Sequence, residues 1–432
     1  MSPRIPLPLP LRLYRLSLIA LEPAAAALLL WRMRRGREDR ERLPERRGVA
    51  GRERPPGFLA WLHGASIGET LSLMPVVEHL IHRGVNVLVT SGTRTAAELV
   101  GRRLPPGAVH QYVPLDAPRY VRRFLDHWRP DLALVAESEI WPNTIIELDW
   151  RRIPLVLVNG RMSERSFRRW SRWPRAARAL LGRFALCLAQ GPADAERLFG
   201  LGAARVAVAG NLKFDASPPP ADARALAHLS GLLSGRPVWV AASTHAGEEE
   251  ITVATHQALA GRFPRLLTVV VPRHPQRGGD VAALGTAAGI EVARRSQAGE
   301  PDRTTELYVV DTVGELGLFY RLSPLVFMGG SLVPHGGQNP IEPAKLGAAI
   351  LHGPHVHNFT DVYAALDGAG GALPVSDGAD LTRAVAELLS DAGRMRDMAR
   401  AAAGAVEGLG GALGRTMQAI EPFIPAMKPE GG

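Results

Sequence analysis

Residues 58–69 read Phe58-Leu59-Ala60-Trp61-Leu62-His63-Gly64-Ala65-Ser66-Ile67-Gly68-Glu69: a short apolar run, a turn of small residues, then the start of an amphipathic stretch. A strand covered on both faces reads as a continuous apolar run, and one that feeds a helix is half of a βαβ unit. The pattern recurs. With Phe58–His63, the runs Val85–Thr90, Asp131–Ala136, Pro154–Asn159 and Leu186–Gln190 are strand candidates, each followed by a helical pattern, and together they predict one doubly wound domain. Asp215-Ala216-Ser217-Pro218-Pro219-Pro220 breaks the alternation, because three consecutive prolines fit neither a helix nor a central strand. It restarts at Val238–Ala242, Leu266–Val271, Leu307–Val310, Leu325–Met328 and Ala349–Leu351. The expectation is an α/β protein with an N-terminal segment 1–54, a first domain 55–215 and a second domain 216–432, its last helix able to pack back on the first. Two doubly wound, Rossmann-like parallel sheets would face a cleft, with ligands at the carboxyl ends of their strands.

The 432 residues suit two such domains, and 46% apolar with 22% charged residues excludes a disordered chain. The single cysteine, Cys187, excludes a disulfide framework or a Cys-based zinc site within one chain and predicts a body in a reducing compartment. The net charge of +9 is not spread evenly: residues 1–54 hold thirteen Arg against six acids, +7, which leaves +2 for the other 378. A nearly neutral body with 6% aromatics argues against nucleic acid as partner. Leu16 to Trp31 is a sixteen-residue, mostly apolar stretch interrupted by Glu22 and Pro23, followed by Arg32, Arg34, Arg35 and Arg37. It is short of the roughly 20 residues of a spanning helix and lacks a small-residue cleavage site. The expectation is an uncleaved N-terminal membrane-anchor helix in or through the inner leaflet, with a buried first helix as the alternative.

Polar residues just after the expected strands are the candidates for chemistry. Glu69 follows the first strand at a helix expected to begin near Thr70; it can be a dipole-compensating acid or a general base. Glu137 and Glu139, in Ala136-Glu137-Ser138-Glu139-Ile140-Trp141-Pro142-Asn143, are two acids where an apolar strand ends, costly to bury without donors or a shared proton. Lys213 lies in Gly210-Asn211-Leu212-Lys213-Phe214-Asp215 and can neutralise a phosphate or simply face solvent. In the second half, Ser243 and Thr244 are N-cap candidates in Ser243-Thr244-His245-Ala246-Gly247-Glu248-Glu249, and Arg273 in Val271-Pro272-Arg273-His274-Pro275 suits bidentate phosphate contact. Gly329-Gly330-Ser331 and Gly336-Gly337-Gln338-Asn339-Pro340-Ile341-Glu342 form a glycine-rich turn entering a helix, with Glu342 placed to accept ribose hydroxyls. His352, His355 and His357 with Asp361 lack standard zinc spacing and favour no metal site.

In this order, the motifs resemble the 3-deoxy-D-manno-octulosonic acid (Kdo) transferase family of lipopolysaccharide synthesis. They are His-x-x-Ser-x-Gly-Glu, Glu-x-Glu-x-Trp-Pro-Asn, Asn159-Gly160-Arg161-Met162-Ser163-Glu164-Arg165-Ser166, Leu-Lys-Phe-Asp, Ser-Thr-His-x-Gly-Glu-Glu, Val-Pro-Arg-His-Pro, Gly-Glu-Leu and Gly-Gly-Ser with Asn-Pro-x-Glu. The resemblance runs from about Trp61 to Asn358. It implies a GT-B glycosyltransferase with an N-terminal acceptor domain and a C-terminal donor domain, without cofactor or metal ion. The reaction it implies is transfer of Kdo from CMP-Kdo to a tetra-acylated lipid A precursor at the cytoplasmic face of the inner membrane. By resemblance Glu69 corresponds to the catalytic base, and Glu137 and Lys213 to groups that stabilise the transition state. Pro272, Arg273, Val313, Gly314, Glu315, Asn339, Pro340, Ile341 and Glu342 correspond to the CMP site. Gln338 stands where the family often has His, and Ala96 where Gly is common. Another GT-B enzyme with a UDP-sugar donor is the rival reading. Residues 161–183 carry eight Arg against Glu164 alone, with Phe167, Trp170 and Trp173 between them, and predict either a solvated helix face or a membrane-docking surface.

Overall fold

The computed structural model describes residues 6–425; residues 1–5 and 426–432, the ends of the N-terminal segment and of the domain expected over 216–432, lie outside the described residues. The chain forms two compact units, Met1–Ala216 with Gly410–Gly432, and Ser217–Leu409. In the first, β1 (Leu59–Gly64), β2 (Asn86–Ser91), β3 (Ala108–Tyr112), β4 (Leu132–Ala136), β5 (Leu155–Gly160), β6 (Leu186–Ala189) and β7 (Val206–Val208) form one sheet in the order β3-β2-β1-β4-β5-β6-β7. Every pairing is parallel. The second unit repeats the plan with β8 (Val238–Thr244), β9 (Leu267–Pro272), β10 (Val292–Arg294), β11 (Leu307–Val309), β12 (Leu325–Met328), β13 (Ala349–His352) and β14 (Ala372–Pro374), in the order β10-β11-β9-β8-β12-β13-β14. Its pairings are parallel as well.

Alternate residues of the central strands go to opposite cores, as a sheet covered on both faces requires. Leu59, Trp61, Ala133, Val135, Leu155 and Leu157 pack on one side of the first sheet. Ala60, Leu62, Leu132, Leu134, Val156 and Val158 pack on the other. The buried indoles keep their N–H groups satisfied: Trp61 donates to the Thr90 hydroxyl at 2.9 Å and Trp239, in the other unit, to that of Thr268 at 2.8 Å. The ten strands expected from sequence occupy sheet interiors or the strands next to them. The four that were not expected, β3, β7, β10 and β14, are the sheet edges. An edge strand is covered less completely, so its apolar run is broken; β7 leaves Ala207 and Val208 exposed, and β3 carries His110 and Gln111.

The single N-terminal anchor helix is not what forms. Among the described residues no helix is long and apolar enough to cross a membrane; instead α1 (Leu9–Ala20) and α2 (Glu22–Arg34) meet at a 63° bend. Pro23 in the first turn of α2 offers no N–H to a preceding carbonyl and crowds the turn before it, which favours a break at this point. The pair is tied to the first unit by polar side chains. Tyr14 donates to Asp116 at 3.2 Å, and Arg15 donates to Asn143 at 3.3 Å, pairs with Glu147 and lies over the Trp150 ring. At the other end, the helix Ala412–Ile420 sends Ala412, Met417 and Ile420 into the first unit's core, and Asp215 accepts the N–H groups of Gly411 and Leu413 at 2.7 and 2.6 Å.

Candidate active site

A parallel sheet opens a crevice where consecutive crossovers leave in opposite directions, and here that point lies between β1 and β4 in the first unit and between β8 and β12 in the second. Glu69 follows β1, and Glu137 is the first residue after β4. The β1 end is drawn tight against α3 (Ile67–His82): a Cβ on Gly64 would stand 2.7 Å from the Thr70 nitrogen, so only glycine fits. α3 starts three residues before Thr70, capped by Ser66, whose hydroxyl accepts the Glu69 N–H at 3.3 Å. In return the Glu69 carboxylate accepts the Ala65 N–H at 2.8 Å and the Ser66 hydroxyl at 2.9 Å. The exchange resembles a capping box, with Ala65 rather than the cap residue Ser66 supplying the backbone N–H, so an acid that serves the helix start describes part of the role of Glu69. It leaves the half-exposed carboxylate with lone pairs to spare, since ionised carboxylates carry about four acceptor positions.

The two acids after β4 do not share a proton; each has its own partner. Glu137 adopts a left-handed conformation, φ 53°, and its carboxylate accepts from the Lys213 ammonium at 2.6 Å. Lys213 sits in the short helix Leu212–Phe214, where Asn211 caps its N–H at 3.0 Å. Glu139 accepts the Trp141 indole N–H, and its carboxylate lies 3.5 Å from Nε2 of the buried His63 at the end of β1. Burial pushes the Glu139 carboxyl up, but His63 and Trp141 outweigh it and hold it below the ordinary range. His63 Nδ1 lies 2.9 Å from the Thr90 hydroxyl. Sequence reasoning quoted His63 and Glu139 without a role; their pairing spans the crevice between two strands far apart in sequence.

In the second unit, Pro272 ends β9 and Arg273 follows it, exposed, with no hydrogen-bond or ion-pair partner for its guanidinium among the described residues. Val313 and Gly314 follow β11, Val313 being 84% exposed and Gly314 at φ 89°. The Glu315 carboxylate is taken by Arg295 at 2.8 Å, which holds it below the ordinary range against partial burial. Asn339 Oδ1 accepts the Ile341 N–H at 3.1 Å, and its amide donates to Glu342 at 3.3 Å. The helix that Pro340 introduces runs only from Ile341 to Lys345, so its dipole is weaker than the expected helix start would give. Ser243 and Thr244 are not N-caps; they end β8, and the helix Glu248–Ala260 starts after Gly247, whose N–H donates to Glu250 at 2.7 Å.

Glu248, to which the sequence assigned nothing, organises this unit's crevice. Fully buried, its carboxylate accepts the N–H groups of His245, Gly330, Ser331 and Leu332 at 2.7–3.0 Å, joining the turn after β8 to the turn after β12. Beside it, buried Glu249 pairs with Arg277. Among the described residues no group of three or more His, Cys, Asp or Glu is placed to hold a metal ion; His352 is held by Asp367 at 3.0 Å.

The family model for 3-deoxy-D-manno-octulosonic-acid transferase (kdotransferase) matches residues 41–216. The 3-deoxy-D-manno-octulosonic acid transferase of Haemophilus influenzae is 35% identical over 392 residues, 89% of this chain and 92% of that protein. That of Bordetella pertussis is 35% identical over 421 residues, 94% and 98%. Among solved structures, a glycosyltransferase from Rickettsia africae aligns with TM-score 0.58 at 11% identity, over 85% of this chain and 99% of that one. UDP-GlcNAc 2-epimerase from Neisseria meningitidis aligns with TM-score 0.56 at 14% identity, over 85% and 100%. At such identities these likenesses speak for the fold alone, an α/β architecture of the GT-B kind. The sequence relatives cover both units at more than 30% identity, and the chain belongs to the 3-deoxy-D-manno-octulosonic acid transferase family of glycosyltransferases.

Proposed function

We propose that the chain transfers Kdo from CMP-Kdo to a tetra-acylated lipid A precursor (lipid IVA) in lipopolysaccharide synthesis, by metal-independent displacement with inversion. The observation that carries this reading is the placement of Glu69 on one side of the first unit's crevice and the Glu137–Lys213 pair on the other. In this reading the first unit binds the acceptor. Glu69 takes the proton of the acceptor hydroxyl, whose oxygen attacks the anomeric carbon while the bond to the phosphate oxygen breaks and CMP departs. Lys213, oriented by Glu137, steadies the charge that develops. In the second unit Pro272, Arg273, the backbone of Val313–Glu315 and Asn339–Glu342 hold CMP, with the Arg273 guanidinium, which has no partner among the described residues, as the phosphate group's natural partner.

The same reading puts the enzyme on the cytoplasmic face of the inner membrane. The bent pair α1–α2 exposes Leu9, Leu13, Leu16, Ile19, Leu28, Leu30 and Trp31 while its polar residues hold the first unit, and an apolar patch of this kind marks an interaction surface. The helix Glu164–Ser171 and its sequel add exposed Arg165, Arg168, Arg169, Arg172 and Arg175 with Trp173, 58% exposed. Arg183, counted with this run from sequence, is instead buried and paired with Asp149. Two experiments test the proposal. CMP, and not UDP, should compete with the donor; the reverse would favour the UDP-sugar reading. Replacing Arg168, Arg169 and Arg172 by Gln should weaken binding to anionic liposomes and raise the acceptor KM with CMP affinity unchanged, each Arg contributing about 1 kcal/mol at such a surface. Unchanged liposome binding would leave the run a solvated face.

A further inference from the structure

Three imidazoles and a carboxamide converge at the carboxyl ends of adjacent strands in the second unit. His274 follows β9, His245 follows β8, and His335 and Gln338 belong to the turn after β12. The rings of His245 and His335 stack with centroids 4.2 Å apart, and His274 meets His245 edge-on at 5.8 Å. The Gln338 amide lies 3.2 Å from His245 Nε2, and both side chains stand over Gly330, 3.2–3.4 Å from where a Cβ would be. The acids nearest this cluster are already engaged, Glu248 by four backbone N–H groups and Glu249 by Arg277. Partial burial, then His335, His274, Arg273 and Arg277, push the His245 imidazole down to about 4. Every titratable group that acts on His245 is basic, and Arg273 among them has no side-chain partner among the described residues, so the missing component is an anion.

The donor proposed above carries two anions on one carbon. In a CMP-linked ulosonic acid the anomeric carbon bears both the phosphate ester and the carboxylate, so its site must receive two negative groups side by side. Arg273 follows β9 and His245 follows the neighbouring strand β8, so the two stand side by side at the carboxyl end of the sheet. We propose that His245 and His335, with Gln338, form the subsite for the sugar carboxylate, next to the Arg273 phosphate position; this rests on the CMP-Kdo reading. The subsite selects sugar acids over neutral sugars, since a donor without the carboxylate leaves these groups unpaired.

The test uses the full chain in detergent, with His245→Ala, His335→Ala and the double variant. CMP affinity is measured by calorimetry, and donor KM and kcat by transfer to lipid A precursor. Each single variant should raise donor KM about tenfold or more, with CMP affinity within about twofold of the parent, which also reports an intact fold. A donor analogue whose carboxylate is replaced by a carboxamide should be disfavoured by the parent and no longer distinguished by the double variant. Undiminished preference for the carboxylate in the double variant overturns the subsite. So does an equal loss of CMP affinity, which would assign these residues to the nucleotide or the fold. A parent that uses no CMP-Kdo refutes the donor reading itself, and the subsite with it.

Discussion

The Lys213 ammonium lies 2.6 Å from a Glu137 carboxylate oxygen, a contact made across seventy-six residues of chain. Left-handed backbone at Glu137 turns its side chain to the lysine, so neither charge is an ordinary surface charge. Lys213→Ala should lower kcat about 10²-fold, the usual cost of removing one preorganised transition-state donor. Because the two act as a unit, Lys213→Ala combined with Glu137→Gln should cost less than the product of the single effects. Multiplying losses in steady-state kinetics would separate the two residues.

His110 carries a pH dependence. Burial first, then Arg42 and Arg46, lower its imidazole to about 3, and its Nε2 lies 2.9 Å from the Ser91 hydroxyl. The folded chain thus binds fewer protons than the unfolded one between about 6.5 and that value. Its contribution is complete above pH 6.5 and is lost as pH falls, amounting to about 2 kcal/mol between pH 6.5 and 5. Unfolding titrations at both pH values should show this acid loss in the parent and a smaller one in His110→Asn; equal losses would remove His110 as the cause.

Glu248→Ala leaves four backbone N–H groups without their buried acceptor. The second unit should lose about 3 kcal/mol of stability, and Glu248→Gln less, because its amide still offers one oxygen. Denaturant unfolding measures both; an undiminished midpoint in the Ala variant would mean that water replaces the carboxylate.

Arg273→Ala should weaken CMP binding by roughly 1.5–3 kcal/mol while leaving stability near the parent's, since the guanidinium has no protein partner among the described residues. Glu342→Ala should weaken it through the ribose. Calorimetry showing parental CMP affinity in either variant would withdraw that residue from the donor site. The groups proposed for the phosphate are cationic or N–H donors, so activity should also persist in EDTA; loss restored by magnesium would contradict the metal-free route.

What the sequence made legible was what lies inside each sheet. Central strands such as Leu132–Ala136 are buried on both faces and announce themselves as apolar runs, whereas Val206–Val208 at an edge does not. Glu69, Glu137 and Lys213 stood out because each is a charge at the end of such a run. Glu248 stayed silent because three of the four N–H groups that it accepts lie more than eighty residues away, a relation that no local spacing displays. The N-terminal apolar stretch shows its interruption at Glu22 and Pro23 in the sequence, and there the chain bends into two helices in place of the single anchor helix expected.

The most direct test of the account is mass spectrometry of a tetra-acylated lipid A precursor incubated with CMP-Kdo and the purified chain, beside its Glu69→Gln variant. The parent should add at least one Kdo residue and release CMP, and the variant should be slower by about 10²–10⁴ with CMP affinity intact. An unmodified precursor with the parent would contradict the assigned reaction, and parental turnover in Glu69→Gln would contradict the assigned base.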